Sequence, residues 1–276
     1  MAPRSLLNLA FPGSHSTLPE SPTAPEMHKA DMIDGLRKGL EVICAFDDGT
    51  PKLTQSELAQ RLDLSRAAAR RYLMTLTALG YMATDGKAFW LTPKVMRLGH
   101  SYVASARLPR TVIPVLQKLT AAFGESTNLA VLEGYEAVYI SRANAPKLLS
   151  TGLEPGTRLP AHTVAAGRLL LSFLSDSSLD HWLAGANLKA YTPQTTVDRS
   201  LIKKDIIKMR KQGYGLSESQ FELGLRGIAV PLIDGSGLPV GAIGVSMSSA
   251  TLPASVAVKR FVPAMQEAAE QLRDQL

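Results

Sequence analysis

Apolar positions along this chain change their spacing several times, and each change marks an element. Leu36, Leu40, Ile43 and Phe46 recur at a helical period, predicting a first helix with an inward stripe. Leu58, Ala59 and Leu62 share a face in a second segment, and Ala69, Tyr72, Leu73 and Leu76 in a third. Beyond Glu125 the texture shifts to short apolar runs. Thr127–Leu132 and Ala137–Ser141 read as strands around Gly134-Tyr135, and Leu148–Leu153 as a third, closed by a turn at Pro155-Gly156. Gly227–Ile233 and Val240–Met247 read as two more, flanking the turn from Asp234 to Gly237. Helices are predicted over Val164–Leu174, Ser178–Leu183 and Ser200–Gln212, the last stopped by Gly213, and a final helix opens at Pro253. Strands and helices intermix with hairpin-like links, which predicts an α+β fold with a largely antiparallel sheet.

Punctuation divides the chain further. Residues 1–30 carry Pro3, Pro12, Pro19, Pro22 and Pro25 with several serines, a composition expected of a disordered tail. Thr92-Pro93 caps a helix expected to run to about Arg107, before Pro109 breaks or kinks it, and Thr111–Phe123 gives another that ends at Gly124. The expected domains are therefore 31–92, a linker over 93–123, and 124–276. The linker's apolar positions (Val95, Leu98, Tyr102, Val115, Leu116, Leu119) suit either a dimer contact or packing on their own domains.

The stretch from Thr54 to Leu73 carries the most specific chemistry. Thr54 and Glu57 form a T-x-x-E capping box, and Ser65 is placed to cap the next helix. Ala67, Arg70 and Arg71 point away from that helix's apolar face, with Arg66 beside them in its first turn. Tyr81–Thr84 and Lys87–Leu91 flank Asp85-Gly86, a dipeptide suited to a two-residue type I′ hairpin. Helix, turn, basic helix and hairpin together read as a winged helix-turn-helix, whose second helix enters the DNA major groove. The candidate contacts to double-stranded DNA are Ser56, Ser65, Arg66, Ala67, Arg70, Arg71 and Lys87; the lysine suits a phosphate contact or a solvated turn equally. Residues 53–107 hold eight Lys/Arg against three Asp/Glu, so most of the chain's net charge of +6 lies around this element.

With 276 residues there is room for two cored domains. A single cysteine, Cys44, excludes an intramolecular disulfide framework, and on an apolar helix it is expected to be a small core residue. No apolar run approaches a membrane span, and the expected compartment is the cytoplasm. Five scattered histidines offer no metal-ligand spacing, and no nucleophile elbow, phosphate loop or dinucleotide fingerprint is present. Hence no cofactor, metal or catalytic residue is expected. An enzyme of small organic acids with an accessory winged helix stands as the alternative reading.

Several motifs together resemble the IclR family of transcriptional regulators, from about Asp34 to the C-terminus. They are Gly35–Val42, Ser65–Leu73, Gly80-Tyr81 with Phe89–Pro93, Leu98-Gly99, Gly156–Pro160, Gly224–Pro231 and Gly241–Ser246. Ser65–Leu73 and Arg158–His162 are most similar to the branch that regulates aromatic-acid catabolism (protocatechuate, 4-hydroxybenzoate and β-ketoadipate pathway genes). The resemblance implies a GAF-like effector-binding domain behind the winged helix, a homodimer or homotetramer on operator DNA, and a small aromatic carboxylate as effector. It places the effector site at Ala165, Ala166, Leu225, Gly227, Gly244 and Ser246. His162 is a further candidate, as a carboxylate partner or a structural residue, and so is Arg142, as a carboxylate partner or a surface ion-pair residue. Where family members often carry acidic residues before Gly-Leu-Arg, this chain reads Ser217-Glu-Ser-Gln-Phe-Glu222, which weakens any carry-over onto Glu218.

Overall fold

The computed structural model describes residues 32–47, 49–146 and 154–276; the expected N-terminal tail and the expected strand at Leu148–Leu153 lie outside them. These residues form two compact units that divide between Ser105 and Ala106, inside the stretch read as a linker.

The first unit is built on α1 (Asp34–Cys44), α2 (Gln55–Arg61) and α3 (Arg66–Ala78), with a small antiparallel sheet of β1 (Leu53–Thr54), β3 (Ala88–Leu91) and β2 (Met82–Thr84) in that spatial order. The capping box forms as the spacing requires: Glu57 N donates to Thr54 Oγ1 at 3.3 Å and Thr54 N donates to the Glu57 carboxylate at 2.7 Å. The Thr54 backbone N–H, and after it the Thr54 hydroxyl, hold the Glu57 carboxyl below its usual pKa. Asp63 turns the chain through a left-handed conformation, with φ of 50°, and Ser65 Oγ accepts Ala68 N at 3.2 Å to start α3. Leu58, Ala69 and Leu73 are buried at the centre with Val42, Met82 and Phe89.

Three expectations are corrected here. On α1 the buried residue is Val42, whereas Leu36 and Leu40 are 62% and 51% exposed. At about 100° per residue, both fall on the far side of the helix from Val42. Cys44 is exposed too, because it lies on that outer side and not in the core. Finally, the wing is not closed by a two-residue type I′ turn. Thr84 pairs with Phe89, leaving Asp85–Lys87 between the strands, and a positive φ occurs there at Gly86 alone. The Asp85 carboxylate accepts Lys87 N at 2.9 Å and Ala88 N at 2.8 Å, a side-chain turn that displaces the tighter backbone one.

A 3-10 turn, Pro93–Val95, capped by Thr92, leads into α4 (Met96–Ser105). The helix breaks at Ala106, not at Pro109; that proline sits in the first turn of α5 (Arg107–Phe123), where a missing N–H costs nothing. Gly124, with φ of 67°, ends α5 as expected.

The second unit carries a six-stranded sheet in the order β6-β5-β4-β9-β8-β7, antiparallel at every pairing. Its strands are β4 (Ser126–Glu133), β5 (Glu136–Ala143), β6 (Arg158–Pro160), β7 (Gly215–Glu218), β8 (Leu225–Ile233) and β9 (Pro239–Ser248). Its remaining helices are α6 (Ala165–Leu171), α7 (Asp176–Gly185), α8 (Arg199–Gln212) and α9 (Ala254–Leu272). One sheet face is covered by α5 and α9. There Val112, Leu116, Phe261 and Met265 pack on Leu129, Ile140, Val230 and Val245. The linker's Leu116 and Leu119 are thus core residues of this unit.

On the opposite face α6 lies over small side chains: Ala130, Ala229 and Ala242 pack against Ala165, Ala166 and Leu169. Glycine makes this approach possible. A Cβ on Gly167 would stand 2.4 Å from Ala161 O and 2.5 Å from Ala161 Cα, and one on Gly215 would stand 2.6 Å from Ala165 O. Alanine in place of a helical glycine ordinarily gains up to about 1 kcal/mol. Gly167→Ala reverses that sign, because the obstructing atoms are backbone. A net destabilisation of about 1–3 kcal/mol is expected, seen as a lower thermal midpoint of the second unit; an unchanged or raised midpoint would contradict the packing described.

Candidate functional site

Two sets of residues have functional character, one in each unit. In the first unit, Arg66, Ala67, Arg70 and Arg71 lie on the exposed side of α3, and no acidic side chain pairs with these arginines among the described residues. Gln55 Nε2 donates to Arg66 O at 2.9 Å, which fixes the start of α3 against α2. Ser56 is exposed in the first turn of α2. Ser65 is exposed too, but its hydroxyl is already spent on the α3 cap. Lys87 is exposed in the wing loop. A further cation comes from a residue that the sequence pattern passed over: Lys52 stands 4.5 Å above the Trp90 ring, held at the wing by the negative ring face. This surface is exposed, basic and anchored by caps, as a helix that enters a DNA groove requires.

In the second unit, a cavity lies between the start of α6 and the sheet. Of the residues expected there, Ala165, Ala166, Leu225, Gly227, Gly244 and Ser246 all line it. Asn128, Tyr139, Thr163, Ser217 and Phe221 line it as well. None of the lining side chains carries a formal charge. The cavity has a volume of about 30 Å³, room for one or two waters. Its glycines serve different ends. A Cβ on Gly244 would come within 2.4 Å of Asn128 Oδ1, so that glycine makes space for the asparagine; one on Gly227 would lie 3.2 Å from Ser217 Oγ and 3.5 Å from Ala165 Cβ, in the cavity itself. Asn128 Nδ2 donates to Ser246 Oγ at 3.4 Å. The first N–H groups of a helix have no partner inside it, and α6 begins at Val164 without a side-chain cap.

His162 and Arg142 do not line the cavity. His162 is buried, and its Nε2 is bonded to Lys189 O at 3.1 Å, so it fastens a neighbouring loop. Burial lowers its pKa, and the nearby Arg168 charge does so further. Arg142 pairs with Asn128 across β4 and β5, on the cavity's face of the sheet, but its Nε donates to Asn144 Oδ1. Burial lowers its pKa, against the opposing effects of Glu154 and Tyr139. Glu218 is engaged outside the cavity, in an ion pair with the buried Arg226 at 2.8 Å.

The residue that organises the cavity wall is one that the spacing did not single out. Arg168, 4% exposed, donates from Nε to His162 O at 2.6 Å, from Nη1 to Asp205 at 2.8 Å and from Nη2 to Gln220 Oε1 at 2.8 Å. Gln220 Oε1 also accepts Thr196 N, and Gln220 O accepts the Thr195 hydroxyl at 2.6 Å. Phe221, the next residue, is thereby held over the cavity, with its ring 5.1 Å from that of Tyr191. A lone arginine inside Ala-Ala-Gly-Arg-Leu-Leu-Leu was the available signal.

Among the described residues there is no helix long and apolar enough to cross a membrane, and no cluster of His, Cys, Asp or Glu that would hold a metal ion. Comparison with known proteins adds the family. Residues 35–86 match the model of the IclR helix-turn-helix domain, and residues 100–274 match that of the bacterial transcriptional regulator IclR C-terminal domain. The chain is 38% identical to the Pca regulon regulatory protein of Pseudomonas putida, over 89% of this chain and 85% of that one. It is 34% identical to the p-hydroxybenzoate hydroxylase transcriptional activator of Acinetobacter baylyi, over 94% and 98% respectively. The solved inducer-binding domain of a PobR transcription factor from Acinetobacter, a double mutant in complex with 3-hydroxybenzoic acid, aligns with a TM-score of 0.59 and 28% identity, over 62% of this chain and all of that one. A groove-reading winged helix, an antiparallel α+β unit with a cavity under its first inner helix, and matches across both place the chain in the IclR family of bacterial transcriptional regulators.

Proposed function

We propose that this protein works in the cytoplasm, reads double-stranded operator DNA through α3 and the wing, and controls genes for aromatic-acid breakdown in response to a small aromatic carboxylate. The observation that carries the effector half is the cavity under α6, small-walled and neutral, with the hydroxyls of Ser217 and Ser246 in its lining. A carboxylate loses much solvation on burial and needs hydrogen-bond donors to offset it; the Ser217 and Ser246 hydroxyls in the lining offer them without a cationic side chain. Relatives named for the pca and p-hydroxybenzoate systems, and the aligned domain bound to 3-hydroxybenzoic acid, support the same ligand class. A benzoate ring exceeds the cavity's present 30 Å³, so binding requires the Phe221 segment to give way. The ligand then acts through its different affinity for two arrangements of the protein.

On the DNA side, Arg66, Arg70 and Arg71 are assigned to the operator, with Ser56, Ala67 and Lys87 as flanking contacts. A base-reading arginine is worth about 1–3 kcal/mol at one position, whereas a phosphate contact weakens all sequences alike and flattens the salt dependence. Replacing all three arginines with alanine is expected to abolish operator retardation at physiological salt. Unchanged affinity would remove the assignment.

One recognition helix reads too few base pairs to find a site in a genome, so a homodimer or homotetramer is expected on the operator. The apolar stripe that α1 leaves outside its own core, Ile33, Leu36 and Leu40, is the stronger candidate contact, with Leu98 and Tyr102 of α4 also exposed. Sedimentation should show an assembly that Leu36→Glu with Leu40→Glu converts to monomer; a wild-type monomer on and off DNA would reject this.

For the effector, calorimetric titration with protocatechuate and 4-hydroxybenzoate is the direct test. Ala166→Trp fills the cavity and is expected to remove the heat of binding while leaving ligand-free operator binding intact. If no aromatic acid binds to the wild type but a short aliphatic acid does, the ligand class is wrong.

A further inference from the structure

The polar groups of the cavity differ in what they already hold. Thr163 Oγ1 donates to Pro160 O at 2.8 Å, and the amide of Asn128 is turned to Ser246. Tyr139 is different. It is 4% exposed, it lines the cavity, and its hydroxyl makes no hydrogen bond among the described residues. Yet among those residues no fully buried side-chain polar atom lacks a partner. Both facts hold together only if the small exposure left to Tyr139 reaches its hydroxyl, and the space it borders is the cavity. Deeply buried tyrosines ordinarily give that hydroxyl a partner.

Register across the sheet puts an acceptor on the same face. Tyr139 pairs with Ala130 of β4, and Asn128 lies two residues along that strand. Asn128 Oδ1 stands over Gly244, and like the Tyr139 hydroxyl it accepts no hydrogen bond among the described residues. Side chains between and around them are small, including Ala130, Ala229 and Ala242. Burial pushes the Tyr139 hydroxyl above its ordinary pKa, so it remains a neutral donor at physiological pH.

One free donor and one free acceptor suit a group that both accepts and donates. A carboxylate only accepts, whereas a phenol does both. We infer that Tyr139 Oη and Asn128 Oδ1 form a receiving pair for a ring hydroxyl, so that the cavity selects hydroxylated benzoates over benzoate itself. The inference rests on reading the cavity as an aromatic-acid site, and it deepens that reading from ligand class to the residues that choose within it. The ligand's hydroxyl donates to Asn128 Oδ1 and accepts from Tyr139 Oη. A hydroxyl that is built into the recognition leaves two buried polar groups unpaired when it is missing, the circumstance in which a site discriminates strongly.

The experiment is calorimetric titration of the full-length protein, as wild type and as Tyr139→Phe, with benzoate, 3-hydroxybenzoate and 4-hydroxybenzoate. Wild type should prefer at least one hydroxybenzoate over benzoate by about tenfold or more. Tyr139→Phe should narrow that ratio to within about threefold, by weakening the hydroxybenzoates and sparing or improving benzoate. The variant should also keep its melting temperature, because the lost hydroxyl bonds nothing in the fold. A preference that survives Tyr139→Phe overturns the pairing. So does an equal weakening of all three acids, which would put Tyr139 at the carboxylate or in a purely structural role. A wild type that binds benzoate as well as the hydroxybenzoates rejects the pair alone; one that binds none of the three rejects the aromatic-acid reading beneath it.

Discussion

The guanidinium of Arg168 joins pieces of chain that have no covalent reason to be neighbours: the His162 carbonyl, the Asp205 carboxylate of α8 and the Gln220 side chain beyond β7. A buried cation is expensive unless its donors are matched, and deleting one partner of such a pair typically costs about 3–5 kcal/mol. All three of its nitrogens have an acceptor here. The loop carrying Phe221 therefore stays over the cavity because Arg168 needs Gln220, and α6 holds its position because Arg168 needs Asp205. The cavity is in this sense a by-product of solvating one charge with protein.

That arrangement depends in turn on an asymmetry in the sheet. The face toward α5 and α9 is filled by leucine, isoleucine, valine and phenylalanine, with Phe123 edge-on to Phe261 at a ring separation of 4.7 Å. The face toward α6 is mostly alanine and glycine, so backbones approach closely and little side-chain volume is left between them. This second face is held as well by polar ties, those of Arg168 and Gln220.

Much of the first unit is legible in the sequence because its signals are local. A capping box, a serine cap and a 3.6-residue period lie within twenty residues, and the structure uses all three. The failures there have local causes as well: Leu36 and Leu40 follow the helical period, but periodicity does not say which side of a helix its neighbours occupy, and Asp85 prefers its own side-chain turn to the backbone turn of its dipeptide. In the second unit, β6 and β7 escape notice because they are short edge strands whose residues do not alternate. The small residues of the cavity are reached through motif resemblance. Tyr139 and Asn128 are not, since a tyrosine within Ala-Val-Tyr-Ile reads as ordinary core. Only cross-strand register brings them to the same opening.

The absence of charge from the cavity lining has a consequence for how the protein meets its surroundings. The exposed arginines of α3, proposed above as its DNA contacts, would lose attraction to phosphates as ionic strength rises, through counterion release. Interactions inside a small neutral cavity are shielded from mobile ions and change little over the same range. A rise in ionic strength would then loosen that proposed grip on DNA without altering how full the cavity is. On that reading ionic strength and ligand occupancy act on one molecule through different physics, the one screened by mobile ions and the other not.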